Sequence, residues 1–303
     1  MGELPQHPPQ GVPGLGNLHR LKTIRFGTMK IPATLILVIL GVALLVTGIW
    51  VGQHVNVLPL DASANAPVYD ELFKVLFSIG TILLLGIVGL VVFSLVRFRR
   101  QPNDLSDGPP VEGNLPLEIL WTAIPAIVVL FIGIYSYDIY DRMGGMTPLN
   151  DHGMHHASEE RTWAGISPAA IDAETGATAL PIEVTAMQFA FIFHYPEAGI
   201  TSGELHVPVG QPVALQLKAN DVIHAFWVPQ FRLKQDVIPG QPTLLSFIPT
   251  RAGQYPIVCA ELCGPYHGGM RSTVVVEEPE TFAAWVAQNS PVAPPTPAAA
   301  VQS

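Results

Sequence analysis

The 303-residue sequence has only two cysteines, and both lie in one short segment, Cys259-Ala260-Glu261-Leu262-Cys263-Gly264-Pro265-Tyr266-His267-Gly268-Gly269-Met270. His267 follows the second cysteine by four positions and Met270 follows by three more. Upstream, His224 stands in Asp221-Val222-Ile223-His224-Ala225-Phe226-Trp227, at a strand-like position between apolar neighbours. Thiolate, imidazole and thioether together favour copper over zinc, calcium or magnesium, because thioether sulfur is a soft ligand. Three other readings compete. A disulfide between Cys259 and Cys263 suits an oxidising compartment but leaves His267 and Met270 unexplained. A structural zinc held by two Cys and two His leaves Met270 idle, and the spacing differs from that of common zinc ribbons. A mononuclear blue-copper site takes one Cys, two His and a weak Met, one thiolate fewer than this segment offers. Two thiolates, two imidazoles, one thioether and one carbonyl suit a pair of coppers bridged by both sulfurs.

Such ligands need a rigid frame. From Pro181 the pattern is that of strands: Ile182–Ala186 and Pro212–Lys218 alternate, Thr243–Ile248 partly alternates, and Thr273–Glu277 is β-branched. Pro208 to Gly210, Pro239-Gly240, and Gly253 near Pro256 read as breaks between them. Short strands at this spacing predict an antiparallel sandwich or barrel. Glu280–Gln288 reads as a short helix after Pro279, and the Pro/Ala-rich tail 290–303 as disordered. Residues 140–180 read as a linker. Its His152-Gly153-Met154-His155-His156 tract reads as a solvated loop, with transient copper capture as the sharper alternative.

The frame is tethered. Only 13% of residues are charged and 49% are hydrophobic, against about 25% charged in a soluble domain. The apolar excess sits in three runs, 31–51, 72–96 and 117–137, each near the length that crosses a bilayer as helix. Arg20, Lys22, Arg25 and Lys30 precede the first run, and Arg97, Arg99 and Arg100 follow the second. Positive flanks mark the cytoplasmic side, so the N-terminus is inside and everything after the third span is outside. Met29-Lys30 before the first run also resembles the start of a secretory signal, with Met29 as an alternative start. The run is longer than a usual signal core, which favours a retained span. The net charge of −9 argues against nucleic acid as a partner. All of that charge lies from Asp138 onward, where 16 acidic residues face 7 basic ones. A negative outer domain would attract a basic partner, with Asp221, Asp236 and Glu204 as candidate docking charges and slower donor oxidation at high salt.

The segment Cys259–Met270 with His224 resembles the binuclear copper A motif of the cytochrome c oxidase subunit II family. The likeness continues through His206-Val207-Pro208-Val209-Gly210 and Phe231–Gly240 and back into the spans, covering roughly 70–285. The three-span layout and Met187–Pro196 are most similar to the forms in oxygenic photosynthetic bacteria. The resemblance implies a membrane-anchored all-β protein. Its layout would be a cytoplasmic tail at 1–30, three transmembrane helices within 31–137, a linker at 138–180, and a cupredoxin-like antiparallel β-sandwich or barrel at 181–289.

It also implies roles. Cys259 and Cys263 would bridge two coppers, His224 and His267 would each bind one, and Met270 would be a weak ligand. Glu261 would offer its backbone carbonyl to copper, and its carboxylate to a magnesium ion at the border with subunit I. Glu118, in Glu118-Ile119-Leu120-Trp121-Thr122-Ala123-Ile124-Pro125, matches the position at the cytoplasmic mouth of a proton path. Without that match it reads as a solvated flank. Where many members have Gln-Trp-Tyr-Trp to receive the electron, this sequence has Gln188-Phe189-Ala190-Phe191, making Phe189 and Phe191 the candidates.

The implied function is the electron-receiving subunit of a respiratory terminal oxidase in a plasma or thylakoid membrane, with its copper domain on the periplasmic or luminal side. A soluble cytochrome c type or blue-copper donor would supply electrons. The haem of subunit I would take them for O2 reduction coupled to proton translocation. The alternatives are a copper-free quinol oxidase subunit II and a membrane-tethered copper-binding module. The intact ligand set argues against the first, and the Glu118 segment with three spans against the second.

Overall fold

The computed structural model describes residues 32–100, 112–145, 165–166 and 176–291. The basic N-terminal segment with Met29, the His152–His156 tract and the tail from 292 lie outside the described residues. The chain forms two units, Met1–Ala43, of which the start of the first helix is described, and Leu44–Ser303.

The three apolar runs are helices α1 (Ala33–His54), α2 (Asn65–Arg97) and α3 (Leu115–Arg142), all long and apolar enough to cross a membrane. α2 and α3 extend past both ends of the runs read from the sequence, and α1 past the C-terminal end of its run, because polar turns continue the helix past the apolar core. Their large side chains point outward: Leu37, Leu90 and Leu130 are each more than 60% exposed. Lipid, or the apolar face of another membrane protein, covers such a surface favourably. Gly48 and Gly52 bring α1 against α2, since a Cβ at either position would strike Ile82 or Ser78. α3 opens on a reciprocal cap. The Asn114 side chain accepts the Leu117 N–H at 3.2 Å, and the Glu118 carboxylate accepts the Asn114 N–H at 3.1 Å.

The outer domain contains β1 (Gly165–Ile166), β2 (Leu180–Met187), β3 (Ala190–Tyr195), β4 (Ile200–Ser202), β5 (Leu205–Pro208), β6 (Val213–Ala219), β7 (His224–Val228), β8 (Leu233–Val237), β9 (Thr243–Phe247), β10 (Gly253–Cys259) and β11 (Arg271–Glu277). One sheet has the order β1-β9-β6-β2-β3-β4 and the other β5-β11-β10-β7-β8. The sandwich is mixed rather than purely antiparallel. β1 with β9, β2 with β6, and β5 with β11 pair in parallel, because the chain switches sheets between these partners. Between the sheets lie Phe191, Phe193, Phe226, Phe231, Phe247, Leu215 and Ile257, all fully buried or nearly so. Each such side chain contributes about 1.5–3 kcal/mol relative to exposure.

Gly253 and Pro256, read from sequence as a break, lie inside β10. Within β10, only Val258 and Cys259 pair with β7, so Pro256 sits where that side of the strand is open and a missing N–H costs little. The expected C-terminal helix is α4 (Pro279–Asn289), with Pro279 in its first turn. Its Trp285 stacks on His206, ring centroids 4.1 Å apart.

Candidate metal centre

β10 ends at Cys259, β11 starts at Arg271, and the loop between them carries the other cysteine, His267 and Met270. The loop is pinned at both ends: the Cys259 N–H donates to the Met270 carbonyl at 3.1 Å, and the Ala260 N–H to the Ala225 carbonyl at 3.0 Å. His224 opens β7, the neighbour of β10, where Phe226 is in register with Cys259. Two adjacent strands and one loop thus converge on one point.

The two sulfurs are its centre. Cys259 Sγ lies 3.8 Å from Cys263 Sγ, 3.9 Å from His224 Nδ1 and 3.4 Å from the Glu261 carbonyl oxygen. Cys263 Sγ lies 3.6 Å from His267 Nδ1 and 3.8 Å from Met270 Sδ. All six donors read from the sequence are therefore brought together. Each histidine faces a different sulfur, the methionine stands on the Cys263 side, and the carbonyl on the Cys259 side. The ligand atoms of His224, Cys259 and Cys263 all lie within 4.8 Å of one another, and these residues are buried. The sulfurs stand well beyond the roughly 2.05 Å of a disulfide, and both cysteines are free. A zinc held by two Cys and two His would leave unused a buried Met270 sulfur aimed at the cluster. The donor set, two thiols with imidazole and thioether beside them, suits a soft metal cation.

Electrostatics around the cluster orient the ligands. His224 Nε2 is 2.8 Å from Asp221 Oδ1, which leaves Nδ1 facing the sulfur. Burial acts to raise the Asp221 carboxyl. The hydrogen bonds from His224 and from the Gln188 and Val222 N–H groups outweigh it and hold the carboxyl below the usual carboxylate range. Burial, reinforced by Cys259 alongside, pushes the Cys263 thiol up to about 11.

Three further residues shape the site without having shown themselves in the ligand spacing. The Gln188 side chain donates to the Cys263 carbonyl at 2.6 Å. Gly264 has φ 133°, in the left-handed region that favours glycine, and a Cβ there would strike Gln188 and the Phe189 ring. Tyr266, 72% exposed, stands edge-on over Phe189 with ring centroids 5.4 Å apart. Phe189 is half-buried beneath it, and Phe191 is closed to solvent against Phe226. Glu118 is remote in sequence and element, in the first turn of α3, where it closes the helix cap.

Residues 48–139 match the family "Cytochrome C oxidase subunit II, transmembrane domain" and residues 200–278 match "Cytochrome C oxidase subunit II, periplasmic domain". Cytochrome c oxidase subunit 2 of Thermostichus vulcanus is 47% identical over 289 residues, covering 87% of this chain and 88% of that protein. The subunit 2 of Synechocystis sp. is 44% identical over 281 residues, covering 87% of this chain and 85% of that protein. The solved periplasmic domain of subunit II of the cytochrome oxidase of Bradyrhizobium japonicum is 31% identical. It covers 36% of this chain and 92% of that chain, with a TM-score of 0.35.

Proposed function

The chain belongs to the cytochrome c oxidase subunit II family, and from that premise we propose that His224, Cys259, Glu261, Cys263, His267 and Met270 hold a binuclear copper A centre. The protein is the membrane-anchored subunit through which electrons reach the oxidase, with its copper domain on the periplasmic side. It works with subunit I, whose haem receives the electrons. The observation that carries the ligand assignment is the pair of thiols 3.8 Å apart, each with its own histidine within 4 Å. When bound, two bridged coppers would share one electron, so that reduction changes each bond little.

The chain's own residues supply the rest. The β7–β10 pairing fixes His224 and Cys259, and the pinned loop fixes the other ligands, limiting rearrangement when the charge changes. Cys259, Cys263, Met270 and His224 are at most 3% exposed, which excludes water from the sulfurs. The Glu261 carbonyl faces Cys259, which leaves its carboxylate as one ligand of a magnesium ion shared with subunit I. Glu118 serves as the cytoplasmic mouth of the proton path while capping α3.

The donor is a small soluble redox protein, and it docks beside the copper loop. Among the described residues of the outer domain, the exposed large apolar side chains are Val222, Ile223, Trp227, Leu262 and Tyr266. Each stands within three positions of a copper ligand. The expected docking acids are engaged within the chain: Asp221 with His224, Asp236 with Lys234 at 2.6 Å, and Glu204 4.0 Å from His206. Close contact with the donor is therefore apolar, and the electron passes by Tyr266 and Phe189, with Phe191 packing the sheet beneath. Metal analysis of the purified full-length chain tests the assignment. Two coppers per chain, reduced to none or one in Cys259→Ser, support it; one copper or zinc in the unaltered chain overturns it.

A further inference from the structure

Among the described residues, Arg232 is the one non-glycine residue with positive φ, at 58°. Such a backbone costs an ordinary side chain energy, and a glycine would serve the turn better. The side chain explains the exception. Only 4% exposed, the guanidinium makes four hydrogen bonds. Nε and Nη2 donate to the two oxygens of Asp70 at 2.8 and 3.1 Å. Nη2 also donates to the Pro59 carbonyl at 2.7 Å, and Nη1 to the Pro229 carbonyl at 2.9 Å. Asp70 lies early in α2 and Pro59 in the connection from α1 to α2. One buried fork therefore joins the outer end of a membrane helix, the connection before it and the turn that follows β7.

The same connection is threaded into the outer domain. The Ala62 N–H donates to the Gln230 carbonyl, the Ala64 N–H to the Ile248 carbonyl, and the Thr250 N–H to the Ala62 carbonyl, each at 3.0 Å. Ser63 Oγ donates to the Phe231 carbonyl at 2.8 Å, and Ala62 and Ser63 are buried. Beyond the turn, β7 and β8 form a hairpin with Val228 opposite Leu233 at its tip and His224 opposite Val237 at its far end. The tip is the clamped end, and the far end carries the copper ligand.

We propose that the Arg232–Asp70 pair is a clamp that sets the copper ligand His224 at a fixed place relative to the membrane helices, making Arg232 a positioning residue for electron transfer from copper to the haem of subunit I. A bidentate pair between an Arg fork and a carboxylate holds direction as well as distance, which a lysine cannot do. The hairpin is braced by β10 on one side and carries that fixed orientation to His224. The step it serves is a one-electron transfer in which the copper centre is oxidised, the haem is reduced and no covalent bond changes. The proposal rests on the copper A assignment.

The test uses the assembled oxidase with Arg232→Gly, Asp70→Asn and the two combined. Glycine adopts the same turn without strain, so Arg232→Gly removes the side chain while leaving the backbone able to fold. Amide hydrogen exchange reads the clamp without reference to copper. Ala62, Ala64 and Thr250 are expected to exchange at least about tenfold faster in each variant, and the double variant to be no worse than the single ones. Flash-induced kinetics read the function. Donor-to-copper transfer and the copper spectrum should stay unchanged while copper-to-haem transfer slows severalfold. Unchanged exchange at Ala62 overturns the clamp, and faster exchange with an unchanged copper-to-haem rate overturns its positioning role. Absence of a copper signal in the unaltered oxidase would instead defeat the copper assignment, and the exchange arm would still decide the clamp.

Discussion

Asp221 is not one of the six donors, yet it accepts from His224 at 2.8 Å and from two backbone N–H groups. Replacing it by alanine frees the His224 ring to turn and should weaken copper binding by about 10–100-fold, as loss of such supporting partners does. Competition with a copper chelator measures this, and an unchanged affinity would remove Asp221 from the site. The thiols set the pH dependence. With Cys263 pushed up to about 11 by burial first and Cys259 second, its thiol is protonated at neutral pH in the metal-free protein. Binding must expel that proton, so copper affinity falls as pH is lowered and loading acidifies an unbuffered solution. A pH-independent affinity would contradict this. The six donors were legible in the sequence because five of them lie within twelve consecutive residues, where spacing alone brings them close. The partners that lie far from those donors in sequence were not. Gln188 reaches the Cys263 carbonyl across 75 positions, and no local pattern carries such a contact.

Helices α1 and α2 meet where Gly52 faces Ser78 and the Lys74 carbonyl. Gly52→Val would drive its side chain into that backbone and is expected to destabilise the helix pair by about 1–3 kcal/mol. The corresponding loss of thermal stability in detergent, absent for Gly41→Val, checks it, since a Cβ at Gly41 meets nothing within 4 Å. The helices were readable from their apolar runs. Of the eleven described strands, those with visible alternation or β-branching were also readable. β7 was only hinted at, because four of its five residues are buried and burial on both faces erases the period-two pattern. β10 was masked by Gly253 and Pro256. The Arg232–Asp70 pair, 162 positions apart, belongs to the same hidden class of long-range contact.

The charge of the chain is divided as its architecture is. Residues 1–137 are neutral, and the outer part carries the whole −9. This field acts at a distance, whereas the surface beside the copper loop is apolar. Encounter and holding are therefore separable for a basic donor. Raising salt should slow association and leave dissociation nearly unchanged, while Tyr266→Ala should speed dissociation with the salt slope intact. Stopped-flow or surface-binding kinetics with the donor distinguish the two, and a Tyr266→Ala effect confined to association would contradict the apolar contact. The proposed function depends on Cys259 and Cys263 holding two coppers that would share one electron. The direct measurement is the electron paramagnetic resonance spectrum of the oxidised full-length protein loaded with copper. A centre of this kind gives a signal split by two equivalent copper nuclei, with one unpaired spin for every two coppers. A signal split by a single copper, or a silent metal-loaded protein, would contradict it.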